Sequence, residues 1–166
     1  MIAIKKYVLS VLVENHPGVL SKIAGLFSRR GYNIHSLTVG ITEDPEISRM
    51  TIVSVGDDYM FEQINKQLNK LIEVIKVIDL SDHKAVAREL SLVKVSADSN
   101  NKVLIMEIAH TFRAKVLDMD EKSMIIEITG SERKISSFIE LMRPYGIKES
   151  IRTGLTSLQR GNKLEN

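Results

Sequence analysis

The stretch best suited to hold a charged ligand runs from Glu14 to Leu20, ENHPGVL. It lies between an alternating apolar run, Tyr7 to Val13, and a segment in which Val19, Leu20, Ile23, Leu26 and Phe27 recur at helical spacing. A strand that runs straight into a helix leaves several backbone N–H groups unpaired in the first turn. With the positive end of the helix dipole, these groups form a socket for a carboxylate or phosphate. Pro17 suits the first turn, because it fixes φ and removes a donor that the helix does not use. Gly18 has no Cβ and lets a ligand approach the backbone, and Asn15 can both donate and accept. The same residues also read simply as a strand-to-helix turn, and the heptapeptide alone does not separate the two.

Other chemistry is thin. The histidines are His16, His35, His83 and His110, and none stands i, i+4 from another, so a zinc site is not expected. With no cysteine there is neither a disulfide framework nor a thiolate nucleophile, which fits a reducing cytoplasm. No Ser/His/Asp arrangement, phosphate-cradling loop or GxGxxG is present. Asp57 and Asp58 follow Gly56, where helix capping accounts for them. His35 alternates with Leu37 on a strand and reads as packed or surface-exposed. The run Asn100 to Arg113 is apolar almost all round and is expected to be a buried helix.

The elements that position these residues follow from periodicity. After the first helix, Arg29, Arg30 and Gly31 form a stop signal. Asn33 to Ile41 and Ile47 to Val55 read as strands joined by a turn at Asp44 and Pro45. A helix carrying Phe61, Ile64, Leu68 and Leu71 follows, and then a strand from Val74 to Leu80. The order β-α-β-β-α-β is the ferredoxin-like unit. Ser81 to Ala87 is polar and alanine-rich and reads as a linker or a short connecting turn.

The order then recurs: a strand from Glu89 to Ala97, a helix opened by Ser99 and Asn100, and a hairpin of Ala114–Met119 with Ser123–Thr129. Ser131 caps a second helix with Ile135, Phe138, Ile139 and Met142 on one face, Pro144 and Gly146 end it, and Ile147 to Thr153 closes the unit. The expected fold is therefore α+β, two tandem ferredoxin-like domains at 1–80 and 81–166, each an antiparallel sheet with helices on one face. Leu158 to Asn166, with Arg160 and Lys163, reads as a solvated tail. Units of about 80 residues bury only about 60% of their unfolded surface, and open sheet edges invite pairing, so oligomerisation is expected.

The composition narrows the function classes. The chain has 166 residues, 43% hydrophobic and 27% charged, with 23 basic and 21 acidic side chains. A net charge of +2 does not mark a nucleic-acid binder. RNA-binding domains of this topology stack bases on strand aromatics, and none of the four hairpin strands contains one. No apolar run reaches the roughly 20 residues of a membrane span. The lysines of MIAIKKY follow the short apolar segment, the wrong order for a secretory signal.

Four stretches carry a resemblance: ENHPGVL (14–20), LFSRRGYNIHSLTVG (26–40), ISRMTI (47–52) and RTGLTSLQRG (152–161). The chain resembles the small, regulatory subunit of acetohydroxyacid synthase (acetolactate synthase), whose ACT domains bind amino acids. The likeness spans nearly the whole chain, strongest over 1–80 and carried by pattern more than motif over 81–150. It implies a non-catalytic subunit in branched-chain amino-acid biosynthesis. Such a subunit binds the large catalytic subunit, raises its activity and transmits feedback inhibition, typically by valine. No cofactor is implied here, since thiamine diphosphate, magnesium and FAD belong to the catalytic partner. The first domain is implied to form a homodimer, with the effector between two subunits. The positions carried over are Asn15, His16, Pro17, Gly18, Val19 and Leu20 on one side, and Asn33 and Ile34 on the other. Asn15 and Asn33 suit the effector's charged groups, and Val19, Leu20 and Ile34 suit a branched side chain. The alternative is a free-standing ACT-type sensor acting on a different enzyme or regulator.

Overall fold

The computed structural model describes residues 4–81 and 85–161. The chain divides into two units, one formed by residues 1–86 with 155–166 and the other by residues 87–154.

The first unit is built from strands β1 (Lys5–Glu14), β2 (Ile34–Ile41), β3 (Ile47–Gly56) and β4 (Val74–Asp79), with helices α1 (Val19–Arg29) and α2 (Asp58–Leu68). The sheet is antiparallel in the order β2-β3-β1-β4. Strand alternation sorts the side chains. Leu9, Val11 and Val13 of β1 join Met50 and Ile52 of β3 against Ile23 and Phe27 of α1 and Ile64 and Leu68 of α2. Full burial of one such side chain stabilises the unit by about 1.5–3 kcal/mol relative to exposure. The intervening residues, Ser10, Arg49 and Thr51 among them, occupy the opposite, helix-free face. Asp57 caps α2, its carboxylate accepting from the Met60 amide at 2.7 Å.

The second unit repeats the order with β5 (Ala85–Ser96), α3 (Lys102–Thr111), β6 (Lys115–Met119), β7 (Ser123–Gly130), α4 (Glu132–Met142) and β8 (Ile147–Arg152), its strands ordered β6-β7-β5-β8. Its core joins Val93, Val95, Met124 and Ile126 with Ile105 of α3 and Phe138 of α4. Ser131 caps α4 through the Lys134 amide, and Gly146 ends the turn after it at φ 86°.

Three expectations change. The C-terminal residues 158–161 are no solvated tail: Thr156–Gln159 form a further strand, β9, which pairs with β5 and belongs to the first unit. Leu155 and Ser157 are buried, and the Ser157 hydroxyl donates to the Val86 carbonyl at 3.1 Å. Lys163 lies outside the described residues. The polar stretch expected to be a linker contributes Ala85 to Ala87 to β5, which starts four residues before the expected Glu89, while His83 lies outside the described residues. Helix α3 buries only Ile105 and Ala109, because a helix on one sheet face presents a single stripe to the core. Val103, Leu104 and Met106 are left exposed.

Candidate functional site

Strand β1 ends at Glu14, and its partner strand begins directly opposite at Ile47. Asn15 continues the ladder by donating its backbone N–H to the Glu46 carbonyl at 2.7 Å, and its side-chain Nδ2 donates to the Pro45 carbonyl at 2.8 Å. The turn into α1 is thereby fastened to the β2–β3 turn. His16 spans the corner, with Nε2 3.1 Å from a Glu14 carboxylate oxygen and Nδ1 3.2 Å from the Pro17 carbonyl. Both partners are acceptors, so a neutral ring satisfies one of them at a time.

Pro17 does not enter the first turn, which begins at Val19. Gly18 is the N-cap residue, at φ 91° and ψ −16°, and Pro17 precedes it. This left-handed conformation is one that glycine adopts without strain, and it displaces the helix start to Val19. Among the described residues no side chain caps α1, and no acidic residue stands in its first turn. The Gly18 carbonyl accepts from the Lys22 amide at 3.0 Å, but a helix beginning at Val19 has no internal acceptor for the amides of Leu20 and Ser21. A Cβ built on Gly18 meets nothing within 4 Å among the described residues, so the space beside this turn is open. Lys22 pairs with Glu73 beside the turn, and that contact first of all holds the Glu73 carboxyl below its ordinary range.

The turn that leads into the corresponding helix of the second unit is built around a carboxylate. One Asp98 carboxylate oxygen accepts from the amides of Asn100 and Asn101 at 2.8 and 3.2 Å, and Asn101 Oδ1 accepts from the Asp98 amide at 2.8 Å. Asp98, rather than the expected Ser99 and Asn100, organises the turn before α3, whose N-cap is Asn101. The first unit has no such carboxylate in the turn before α1, where Gly18 is the N-cap.

The candidate residues fall into two groups. Val19 is buried in the core, so its backbone is what it can offer a ligand, whereas Leu20 is exposed. Asn33 and Ile34 begin β2 at the far end of the sheet, where Ile34 pairs with Ser54 and Ser54 with Tyr7. Along β1, Tyr7 precedes Glu14 by about 23 Å at ordinary strand spacing. A single small molecule therefore cannot touch Asn15 and Asn33 of one chain. The Asn33 carbonyl accepts from the Ser54 hydroxyl at 2.8 Å, and among the described residues its side-chain amide makes no hydrogen bond.

Near that end of the sheet lies a cluster the sequence reading missed. Tyr7 donates its hydroxyl to Asp58, Lys5 reaches the same carboxylate at 3.1 Å, and the Tyr7 ring stacks on Phe61 with centroids 4.3 Å apart. Tyr7, Asp58 and Phe61 were legible only as a strand residue, a cap and a helix stripe, since their contact requires the fold. Among the described residues no helix is long and apolar enough to cross a membrane.

Comparison with known proteins fits this geometry. Residues 9–76 match the family described as AHAS small subunit-like ACT domain, and residues 88–161 match the small subunit of acetolactate synthase. A probable acetolactate synthase small subunit from Archaeoglobus fulgidus is 55% identical over 158 residues, covering 95% of this chain and 99% of the relative. The acetolactate synthase small subunit of Mycobacterium bovis is 48% identical over 157 residues, 95% of this chain and 94% of its own. The crystal structure of the acetolactate synthase small subunit from Thermotoga maritima superposes with a TM-score of 0.88 at 42% identity, covering 95% of this chain and 99% of that one. With both units matched and relatives aligned almost end to end, the chain belongs to the family of acetolactate synthase small subunits, non-catalytic regulatory subunits with an N-terminal ACT domain.

Proposed function

We propose that the chain binds the thiamine-diphosphate-dependent large subunit of acetolactate synthase, raises its activity, and transmits feedback inhibition by valine or another branched-chain amino acid in the cytoplasm. Thiamine diphosphate, magnesium and FAD reside on that partner, and this chain carries no cofactor of its own. The observation that carries the effector reading is the uncapped start of α1 with Gly18 in the left-handed region. Backbone amides, the helix dipole and open space converge there on a position for an α-carboxylate. Leu20 offers apolar surface beside it.

Because Asn33 and Ile34 stand about 23 Å along the sheet, they serve the effector from a second copy. Strand β2 supplies the means: it is an edge strand, it carries no Lys, Arg, Asp or Glu, and Val39 and Ile41 are exposed on it. Such an edge pairs readily with its own two-fold mate into one continuous sheet.

Two measurements test the reading. The chain should co-purify with the large subunit and stimulate it. Calorimetry should detect valine binding to wild type and lose it in Gly18→Asp, whose side chain enters the open space and repels the carboxylate. Stimulation should survive the substitution while inhibition disappears. Valine affinity unchanged in Gly18→Asp would remove the helix start from the site.

A further inference from the structure

The helix-free face of the first unit holds a second concavity, a groove of about 510 Å³ between β2, β3 and the C-terminal strand β9. Every residue lining it belongs to the first unit. Arg49 stands on its floor, half-buried, with Nη1 donating to the Ser10 hydroxyl at 2.8 Å. Among the described residues this is its only hydrogen bond, and no carboxylate pairs with it. A partly desolvated guanidinium with most of its donor fork unused is built to take a carboxylate in two-point fashion. Glu43, on the turn after β2, also lines the groove and has no cation partner among the described residues.

Gly40 lies directly opposite Arg49 in the β2–β3 ladder. A Cβ built there meets nothing within 4 Å, so the missing side chain leaves room beside the guanidinium. Glycine inside a strand weakens it, and it commonly marks a place where another molecule comes close. Hydroxyls of Thr42 and Thr51 line the same groove, as does Leu158, which is 58% exposed.

A cation and an anion, each unpaired among the described residues, beside one apolar flank match a small zwitterion better than a polyanion. We propose that this groove is a second ligand site, contained in one chain, for a free aliphatic α-amino acid. Its carboxylate lies on Arg49, its ammonium on Glu43, and its side chain against Leu158. The site is independent of the helix-start reading and does not require a second copy.

The test follows amide resonances of Gly40 and Thr51 in the full-length protein during titration with leucine. It is run in wild type, Gly18→Asp, Arg49→Met, Glu43→Gln and Gly40→Val. Gly40→Val is the variant least able to disturb the fold, because the space is empty and valine favours strands. The expected result is saturable shifts in wild type and in Gly18→Asp alike, weakened at least about tenfold in Arg49→Met and abolished in Gly40→Val with the oligomeric state unchanged. 4-Methylpentanoate, which lacks the ammonium, should bind more weakly than leucine to wild type and equally well to Glu43→Gln.

Absence of leucine-dependent shifts at these amides in wild type overturns the proposal, as does full leucine affinity in Arg49→Met. Loss of dimerisation in Gly40→Val would make the groove an interface between copies instead. If the Gly40 and Thr51 shifts vanish in Gly18→Asp, the groove reading falls and the helix-start site stands. If valine binding ignores Gly18→Asp while the groove shifts persist, the reverse holds.

Discussion

Arg113 holds in the second unit the backbone conformation that Gly31 holds in the first. Their φ angles are 53° and 67°, each one residue past the C-cap of its helix. In the first unit Gly31 donates to the Ser28 carbonyl and Tyr32 to that of Phe27, and in the second Arg113 donates to His110 and Ala114 to Ala109. Both helices thus end in the same paired-amide motif, which favours glycine at the left-handed position. An arginine there is strained by about 1–2 kcal/mol. Arg113→Gly should stabilise the second unit by about 1 kcal/mol, read as a higher urea midpoint, and Gly31→Ala should destabilise the first by a similar amount.

Glu89 and Arg152 form a two-point ion pair at 2.9 and 2.5 Å, with the Glu89 side chain only 6% exposed. The Glu89 carboxylate raises the Arg152 pKa further above its ordinary value. Removing one partner strands the other, so Glu89→Ala should cost the second unit about 3 kcal/mol. Glu140→Ala, which breaks the exposed pair with Arg143, should cost less than about 1 kcal/mol. Denaturant unfolding of the two variants side by side makes the comparison.

Tyr7 brings a pH dependence at the alkaline end. The hydrogen bond to Asp58, followed by burial, raises its phenol from 10.0 to about 12. Because the folded value lies above the unfolded one, this stabilisation is whole below pH 10 and is lost as pH rises through about 12. Asp58 moves the opposite way: the Tyr7 hydroxyl and then Lys5 depress it, so its contribution is present above the ordinary aspartate value and lost as pH falls through the lowered one. Tyr7→Phe keeps the ring stack and should flatten the stability profile between pH 10 and about 12. An unchanged profile would detach Tyr7 from it.

Asn15 and Asn33 should separate structure from ligand. Asn15→Ala deletes the bond to Pro45 and should loosen the β2–β3 turn by about 0.5–1.5 kcal/mol as well as weakening the effector. Asn33→Ala removes no side-chain hydrogen bond of the described residues, so stability should stay while valine affinity falls about tenfold or more. Thermal melts paired with valine calorimetry read both quantities.

The duplicated fold was legible because alternation of period two in Leu9–Val13 and Met124–Ile128, against helical stripes such as Ile135–Met142, leaves one way to bury the apolar residues. Strand β9 was not, since TSLQ is short and polar and its burial comes from Val86, seventy-one positions away. The socket was legible as a motif, but its opening depends on the Gly18 φ angle, which moved Pro17 out of the helix. Arg49 and Glu43 gave no signal, because their lack of partners is a property of the sheet face and not of their spacing.

The proposed effector and groove sites both draw on residues of the first unit, so the halves of the molecule are expected to be unequal in their response to solute. A ligand that binds only the folded form of one half raises that half's transition by RT ln(1 + [L]/Kd) and leaves the other where it was, to the extent that they melt independently. Differential scanning calorimetry of a mixed population should then show one endotherm that migrates with added valine and one that stays fixed. The half without a proposed site serves as an internal thermometer against which occupancy of the other can be read.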